Sequence, residues 1–325
     1  MKDLYSFLWA ADKQRGAALL MAIAAAGLLT AIAVEFIEDA QDDIRLVEAF
    51  RDDFKARWAI RAPVAIAIGL LEEENGGFTG LTQKWANLNE ILLVGDIRVR
   101  FQIKDESAKV NLNALVSGNE IQRKRTLELL KNYFKRKGLG SELVSYLRDW
   151  VDRDSDEGDT GAENSYYRSL PKPYDVKNKE LDSLAEISLI KGFTGKILAA
   201  LEFEVRAGVP DLGLNHLFTV FSDGRVNLNT ADRQILENLT ENFPPNFIQD
   251  LLERRETNPI QKIEEIRMMT GMNEELFNKI SPLLTVKSNY FSVTSEATSG
   301  RIKKRLVAII KKEGKRARVI FWRVS

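Results

Sequence analysis

Arg15-Gly16-Ala17-Ala18-Leu19-Leu20-Met21 opens an apolar run that continues to Val34, and this stretch decides how the rest of the chain is read. From Ala17 to Val34 the one polar side chain is Thr30. As a helix, a run of that length reaches roughly 27 Å, close to the hydrocarbon thickness of a bilayer. Lys2, Lys13 and Arg15 precede it, opposed by Asp3 and Asp12. The positive-inside preference places this leader in the cytoplasm and the body of the chain across the membrane. Glu35 and Phe36 follow the run directly, so no Ala-x-Ala site of the secretory kind closes it.

Gly16 offers a different processing point. Preceded by Lys13 and Arg15, it resembles the end of a type IV prepilin leader, which a membrane peptidase cuts after the glycine, leaving the apolar helix on the mature protein. The cut would fall between Gly16 and Ala17. An ordinary signal anchor with a glycine at that place is the other reading of the N-terminus.

The body reads as folded, exported protein. A chain of 325 residues, 44% hydrophobic and 29% charged, has room for two domains beyond the membrane segment. A formal net charge of zero gives no global attraction to nucleic acid or anionic lipid. The absence of cysteine excludes disulfides, thiolate nucleophiles and cysteine zinc sites. His216 is the one histidine, which excludes multi-histidine metal sites, and it reads as a loop or surface residue. No nucleophile elbow or phosphate loop accompanies the carboxylates, so the expectation is that the chain is not an enzyme.

Beyond the membrane segment, Ile37, Ala40, Ile44, Val47, Phe50, Phe54 and Trp58 recur every three or four residues among charged ones. This period predicts an amphipathic helix whose stripe packs on a sheet. Pro63 should kink it, and Gly76-Gly77 should end it. Ile97, Val99, Phe101 and Ile103 alternate with polar residues as in a half-buried strand. Residues 290–294, 301–311 and 316–323, separated by Ser299-Gly300 and Gly314, read as an antiparallel meander. Nearly all that lies between is helical in pattern, so the sheet is interrupted by a large insertion.

One phrase occurs twice in that insertion. Lys109-Val110-Asn111-Leu112-Asn113-Ala114 is answered by Arg225-Val226-Asn227-Leu228-Asn229-Thr230-Ala231, which marks two related helical units. Asn113 and Asn229 read as helix N-caps. Helices are expected over 121–136, 141–151, 232–239, 246–255, 259–269 and 274–280. Ser183 to Glu186 has capping-box spacing ahead of a segment ending near Leu201.

The chemically dense segment runs from Asp149 to Glu163. Counted from Asp152, carboxylates at Asp152, Asp154, Asp156 and Glu163 occupy positions 1, 3, 5 and 12 of an EF-hand-like loop, with Thr160 at 9 and Asp159 beside it. Hard oxygen donors in a loop free to wrap an ion favour Ca2+ over Mg2+ and offer nothing to softer metals. Gly158 stands one place late for the pattern, and Pro171 and Pro173 preclude a long exit helix. The alternative is a solvated acidic loop, in which six carboxylates between Asp152 and Glu163 would repel one another.

These pieces, in this order, resemble the type II secretion minor pseudopilin K family along nearly the whole chain. The residues carrying the resemblance are Arg15-Gly16-Ala17 with its apolar helix, Lys109 to Leu115, Asp149 to Asp152 running on to Glu163 and Tyr166-Tyr167, Ser183 to Glu186, and Val226 to Ala231. The resemblance implies an α+β, pilin-like fold: a long N-terminal helix packed on an antiparallel sheet, with a large α-helical domain inserted between strands and structural calcium bound there. It divides the chain into a leader (1–16), a transmembrane helix (17–36), a first pilin-like part (37–108), the inserted domain (109–285) and C-terminal strands (286–325). It also implies an inner-membrane protein with its folded part in the periplasm, N-methylated after cleavage by prepilin peptidase and embedded in inner membrane lipid. The implied role is at the pseudopilus tip, in complex with minor pseudopilins I and J, helping to start assembly. Most pilin-like proteins carry glutamate at the fifth mature residue, and this family lacks it; here that residue is Met21.

A second reading comes from another class. Asn227 to Ala231 followed by paired helices also resembles the helix-hairpin-helix modules of membrane-anchored DNA-binding proteins. The corresponding turn, Phe243-Pro244-Pro245-Asn246, has two prolines that remove the N–H donors such modules aim at phosphate. No nucleic-acid partner is expected.

Overall fold

The structure, a computed structural model, describes the chain except residues 1, 75, 89–90, 157–159, 202–204, 207–208, 211–215 and 241–242, and gives the backbone alone for 2–16, 205–206 and 209–210. The chain divides into two compact units, one of residues 1–58 with 298–303 and one of 59–297 with 304–325.

The first unit is built on α1 (Lys2–Ala59). Every side chain from Ala17 to Val34 is exposed, as a segment destined for lipid must be. Thr30, the polar exception, donates its hydroxyl to the Ala26 carbonyl 2.8 Å away, so no free hydroxyl faces the hydrocarbon. Further along, Ile44, Val47, Phe50, Phe54 and Trp58 are each more than half exposed. The sequence pattern predicts a buried stripe, and these side chains are exposed. A break at Ile60-Arg61 sets a new helix, α2 (Ala62–Glu73), with Pro63 in its first turn, and this shorter helix carries the residues that meet the sheet.

The second unit contains that sheet. Its strands are β1 (Ile91–Val94), β2 (Ile97–Asp105), β9 (Tyr290–Ser299), β10 (Ile302–Glu313) and β11 (Arg316–Val324), hydrogen-bonded in that order. β2 pairs antiparallel with β9, Val99 opposite Ala297 and Asp105 opposite Phe291, so strands nearly two hundred residues apart are neighbours. The odd residues of β2 are buried and the even ones exposed, as the alternation requires. Ala59, Ile60, Val64, Ala67 and Leu71 join Val99, Phe101, Phe291, Val293 and Leu306 in one core.

Between β2 and β9 lies the insertion, which has its own core running from Val110 to Val286. Its helices are α3 (Glu120–Arg136), α4 (Glu142–Val151), α5 (Asn164–Arg168), α6 (Gly195–Ala200), α7 (Arg233–Asn238), α8 (Phe247–Thr257) and α9 (Glu274–Ile280). Among the described residues, six two-residue strands link them: β3 (Val110–Asn111), β4 (Val205–Arg206), β5 (Val209–Pro210), β6 (Phe218–Thr219), β7 (Val226–Asn227) and β8 (Leu284–Thr285). The expected helix over 259–269 is instead a 3-10 turn, Ile263–Met268.

The repeated phrase does the same structural work twice. β3 pairs in parallel with β6, and β7 with β8, in matching register. Asn111 and Asn227 each accept a bond from the N–H two residues on, at 2.9 and 3.0 Å, turning the chain inward. Asn113 and Asn229 are therefore not N-caps but buried clamps. Asn113 accepts from the Leu181 N–H and donates to the same residue's carbonyl, at 2.7 and 3.0 Å. Asn229 does likewise with Ile260, at 2.8 Å in both directions. Each clamped segment then turns on a glutamate: Glu186 accepts from the N–H groups of Asp182 and Ser183, and Glu265 from those of Gln261 and Lys262.

Asp105, the last residue of β2, joins sheet to insertion. Its fully buried carboxylate accepts from the hydroxyls of Ser288 and Thr230, at 2.6 and 2.5 Å, from Asn227 Nδ2 and from the Ser107 N–H. Beside it, buried Glu106 pairs with Lys109 and accepts from the Thr219 hydroxyl, so adjacent acids hold the two repeats of the insertion. Burial outweighs the four donors and raises the Asp105 carboxyl from 3.8 to about 6. The folded protein thus holds this proton more tightly than the unfolded chain, and stability from this group is complete below 3.8 and lost as pH rises through about 6. Between pH 4 and pH 7, wild-type protein should lose up to about 3 kcal/mol relative to Asp105→Asn in denaturant unfolding. Parallel pH profiles for the two proteins would contradict this.

Candidate metal centre

The acidic loop begins where α4 ends. The helix delivers Asp149 and Trp150 into the core and leaves Asp152 half-buried at its C-terminal end, its N–H bonded to the Arg148 carbonyl. The chain returns through Ala162, whose N–H donates to Asp149 Oδ2 at 2.8 Å. Glu163 follows at the start of α5, 3% exposed. This closure brings carboxylate oxygens of Asp152, Asp154 and Glu163 within 4.8 Å of one another, positions 1, 3 and 12 of the loop. Asp156 is exposed and stands outside that trio; its N–H donates to Asp154 Oδ1 at 3.1 Å. Asp159, with Glu157 and Gly158, lies outside the described residues.

Electrostatics within the trio are unfavourable without a cation. Burial, then the charges of Asp154 and Asp149, raise the Asp152 carboxyl to about 6, with Arg148 opposing at 3.7 Å. Asp152 Oδ1 is buried with no hydrogen-bond partner. An acceptor so placed, next to two further carboxylates, fits a hard cation bound through oxygen.

Sequence reasoning missed Asn178. Its backbone is left-handed (φ 49°), its N–H donates to the Trp150 carbonyl, and its Nδ2 donates to the Asp154 carbonyl at 3.0 Å, so it pins the loop from a distant segment. An asparagine tolerates that conformation better than most residues, but nothing in its neighbourhood marks it. Behind the loop, Trp150 meets Tyr167 edge-on at 5.1 Å, and Tyr167 packs on Tyr166 and Tyr174. The loop's shape is therefore coupled to an aromatic cluster. His216 is exposed.

Comparison with known proteins agrees with this architecture. The family described as "Type II secretion system (T2SS), protein K" matches residues 108–207, the span that holds the first repeat, the acidic loop and the tyrosines. Type II secretion system protein K of Klebsiella pneumoniae is 25% identical over 318 residues, covering 93% of this chain and 94% of its own. The protein of the same name from Aeromonas hydrophila is 25% identical over 317 residues, covering 91% and 92%. The chain is thus similar to type II secretion system protein K along nearly its whole length. It is a minor pseudopilin of type II secretion. A chain in the crystal structure of the GspK-GspI-GspJ complex from the enterotoxigenic Escherichia coli type 2 secretion system shares its fold, with TM-score 0.73, 19% identity, and 86% of this chain and 99% of that one covered.

No finding supports the nucleic-acid reading. The second turn of the supposed hairpin pair holds Gly271 (φ 82°), where a Cβ would come within 2.6 Å of Pro244, so the two turns pack on each other.

Calcium that binds the folded form alone should raise its melting temperature by mass action. For the full chain in detergent, millimolar calcium should raise the melting temperature by about 5 °C or more over chelator. The double substitution Asp152→Asn with Glu163→Gln should abolish the difference. Superimposable curves for wild-type protein in calcium and in chelator would count against the site.

Proposed function

We propose that this minor pseudopilin occupies the tip of the periplasmic pseudopilus, where it assembles with minor pseudopilins I and J and helps to start the fibre. The observation that carries this reading is the fold shared with a chain of the GspK-GspI-GspJ complex over 86% of the present one. Two features of the chain support it. The insertion, between β2 and β9, gives the subunit a head far larger than its five-stranded sheet, which suits an end position better than one within a stack. Met21 at the fifth mature position supplies no carboxylate to pair with a neighbour's terminal amine, a partner that a charge in lipid requires.

In this account α1 anchors the chain in the inner membrane as a single pass, with the head in the periplasm. Prepilin peptidase cuts between Gly16 and Ala17, and the new terminus is methylated. Asp152, Asp154 and Glu163 hold a structural calcium, with Asp156 and Asp159 available to complete its oxygen shell. The ion neutralises the loop and fixes the exit into α5. The chain works as an assembly component and not as an enzyme.

Expressed with I and J of the same system, the full chain solubilised from membranes should elute with both as one complex in size-exclusion chromatography, and a strain lacking it should fail to export. Separate elution of the three subunits, with export intact, would overturn the proposal.

A further inference from the structure

Away from the acidic loop, three lysines, one ahead of β9 and two in the β10–β11 hairpin, line one small cavity of about 380 Å3. It lies between the end of α2, the loop that follows, the start of β9 and the β10–β11 hairpin. Leu71, Trp85 and Phe291 form its apolar floor, the two rings meeting edge-on at 5.2 Å. Lys287 precedes β9, Lys312 lies near the end of β10, and Lys315 sits in the hairpin turn after Gly314 (φ 62°).

Lys312 is the most enclosed. Its strand is fixed by a bond from its N–H to the Asn289 carbonyl at 2.7 Å, and its ammonium donates to the main-chain carbonyl of Glu74. Burial lowers its basicity; the Glu74 charge opposes this, and the Lys287 charge adds to it. Among the described residues, the ion pairs of the hairpin join Lys311 and Arg318 to Glu313 and leave Lys287 and Lys315 out. The cavity's one carboxylate, Glu74, accepts from Gln83 Nε2 at 3.0 Å. The Lys312 ammonium thus feels the Lys287 charge, Lys315 lines the same cavity from the exposed turn, and the one acid among the described lining residues is already engaged, an arrangement that favours an incoming anion.

We propose that this cavity binds a compact oxyanion, a phosphate or a carboxylate, through Lys287, Lys312 and Lys315. The site is independent of the calcium loop and of the assembly reading. Anionic oxygens accept strong charge-assisted bonds from ammonium donors, and a half-buried site screens them less than open surface does.

Isothermal titration of the full chain in detergent, at fixed ionic strength in chloride, tests it with inorganic phosphate and with acetate as separate probes. At least one should bind saturably at a single site, and the tighter of the two identifies phosphate or carboxylate as the natural group. Lys312→Gln should weaken that binding about tenfold or more. Lys315→Gln, at the hairpin turn, should weaken it in the same direction and decides the matter if the first variant does not fold. No saturable binding of either probe, or binding that both substitutions leave unchanged and that therefore marks an adventitious ion only, would overturn the proposal.

Discussion

Apolar surface that the chain itself does not cover is the constraint on which the rest of this molecule depends. From Ala17 to Val34 every side chain is exposed, and a helix of that composition is stable where lipid replaces water around it. The body has no cysteine and relies on core size: two clusters of buried side chains, one under the sheet and one within the insertion, do what disulfides do in smaller secreted domains.

An insertion placed between two paired strands must leave and re-enter the sheet at one point without loosening it. Here that point is Asp105 and Glu106. The first ties Ser288, Thr230 and Asn227, and the second ties Lys109 and Thr219, so each repeat unit is held by one acid of the pair. Burying such groups is tolerable because each oxygen has donors aimed at it. The asparagine clamps extend the same logic inward, satisfying main-chain groups of Leu181 and Ile260 that no helix or strand takes up.

Much of this was legible in the residues, for identifiable reasons. β2 announced itself because one face is buried and the other wet, and the meander because glycines punctuate its turns. β1 went unnoticed because Ile91-Leu92-Leu93-Val94 is apolar throughout and shows no alternation. The V-N-L-N echo was visible, but the role of its second asparagine was not, since capping and clamping begin from the same residue type. A further echo, Leu217-Phe218-Thr219-Val220-Phe221-Ser222-Asp223 against Leu283-Leu284-Thr285-Val286-Lys287-Ser288-Asn289, was present and would have located β6 and β8. In the acidic loop, spacing was enough to bring Asp152, Asp154 and Glu163 together, because a loop closing on its own helix end has few ways to fold. Asn178 and the three cavity lysines had no such signal; tertiary contacts alone assemble them. The stripe from Ile37 to Trp58 reads as core because periodicity reports one-sidedness and not what covers the side.

Anchor, head and loop make one account only if the helix stays on the mature protein after the leader leaves. Intact-mass and N-terminal mass spectrometry of the chain purified from membranes tests this most directly. The account requires a mature chain beginning at an N-methylated Ala17. A chain still beginning at Met1, in cells where prepilin peptidase is active, would contradict it and leave an ordinary signal anchor.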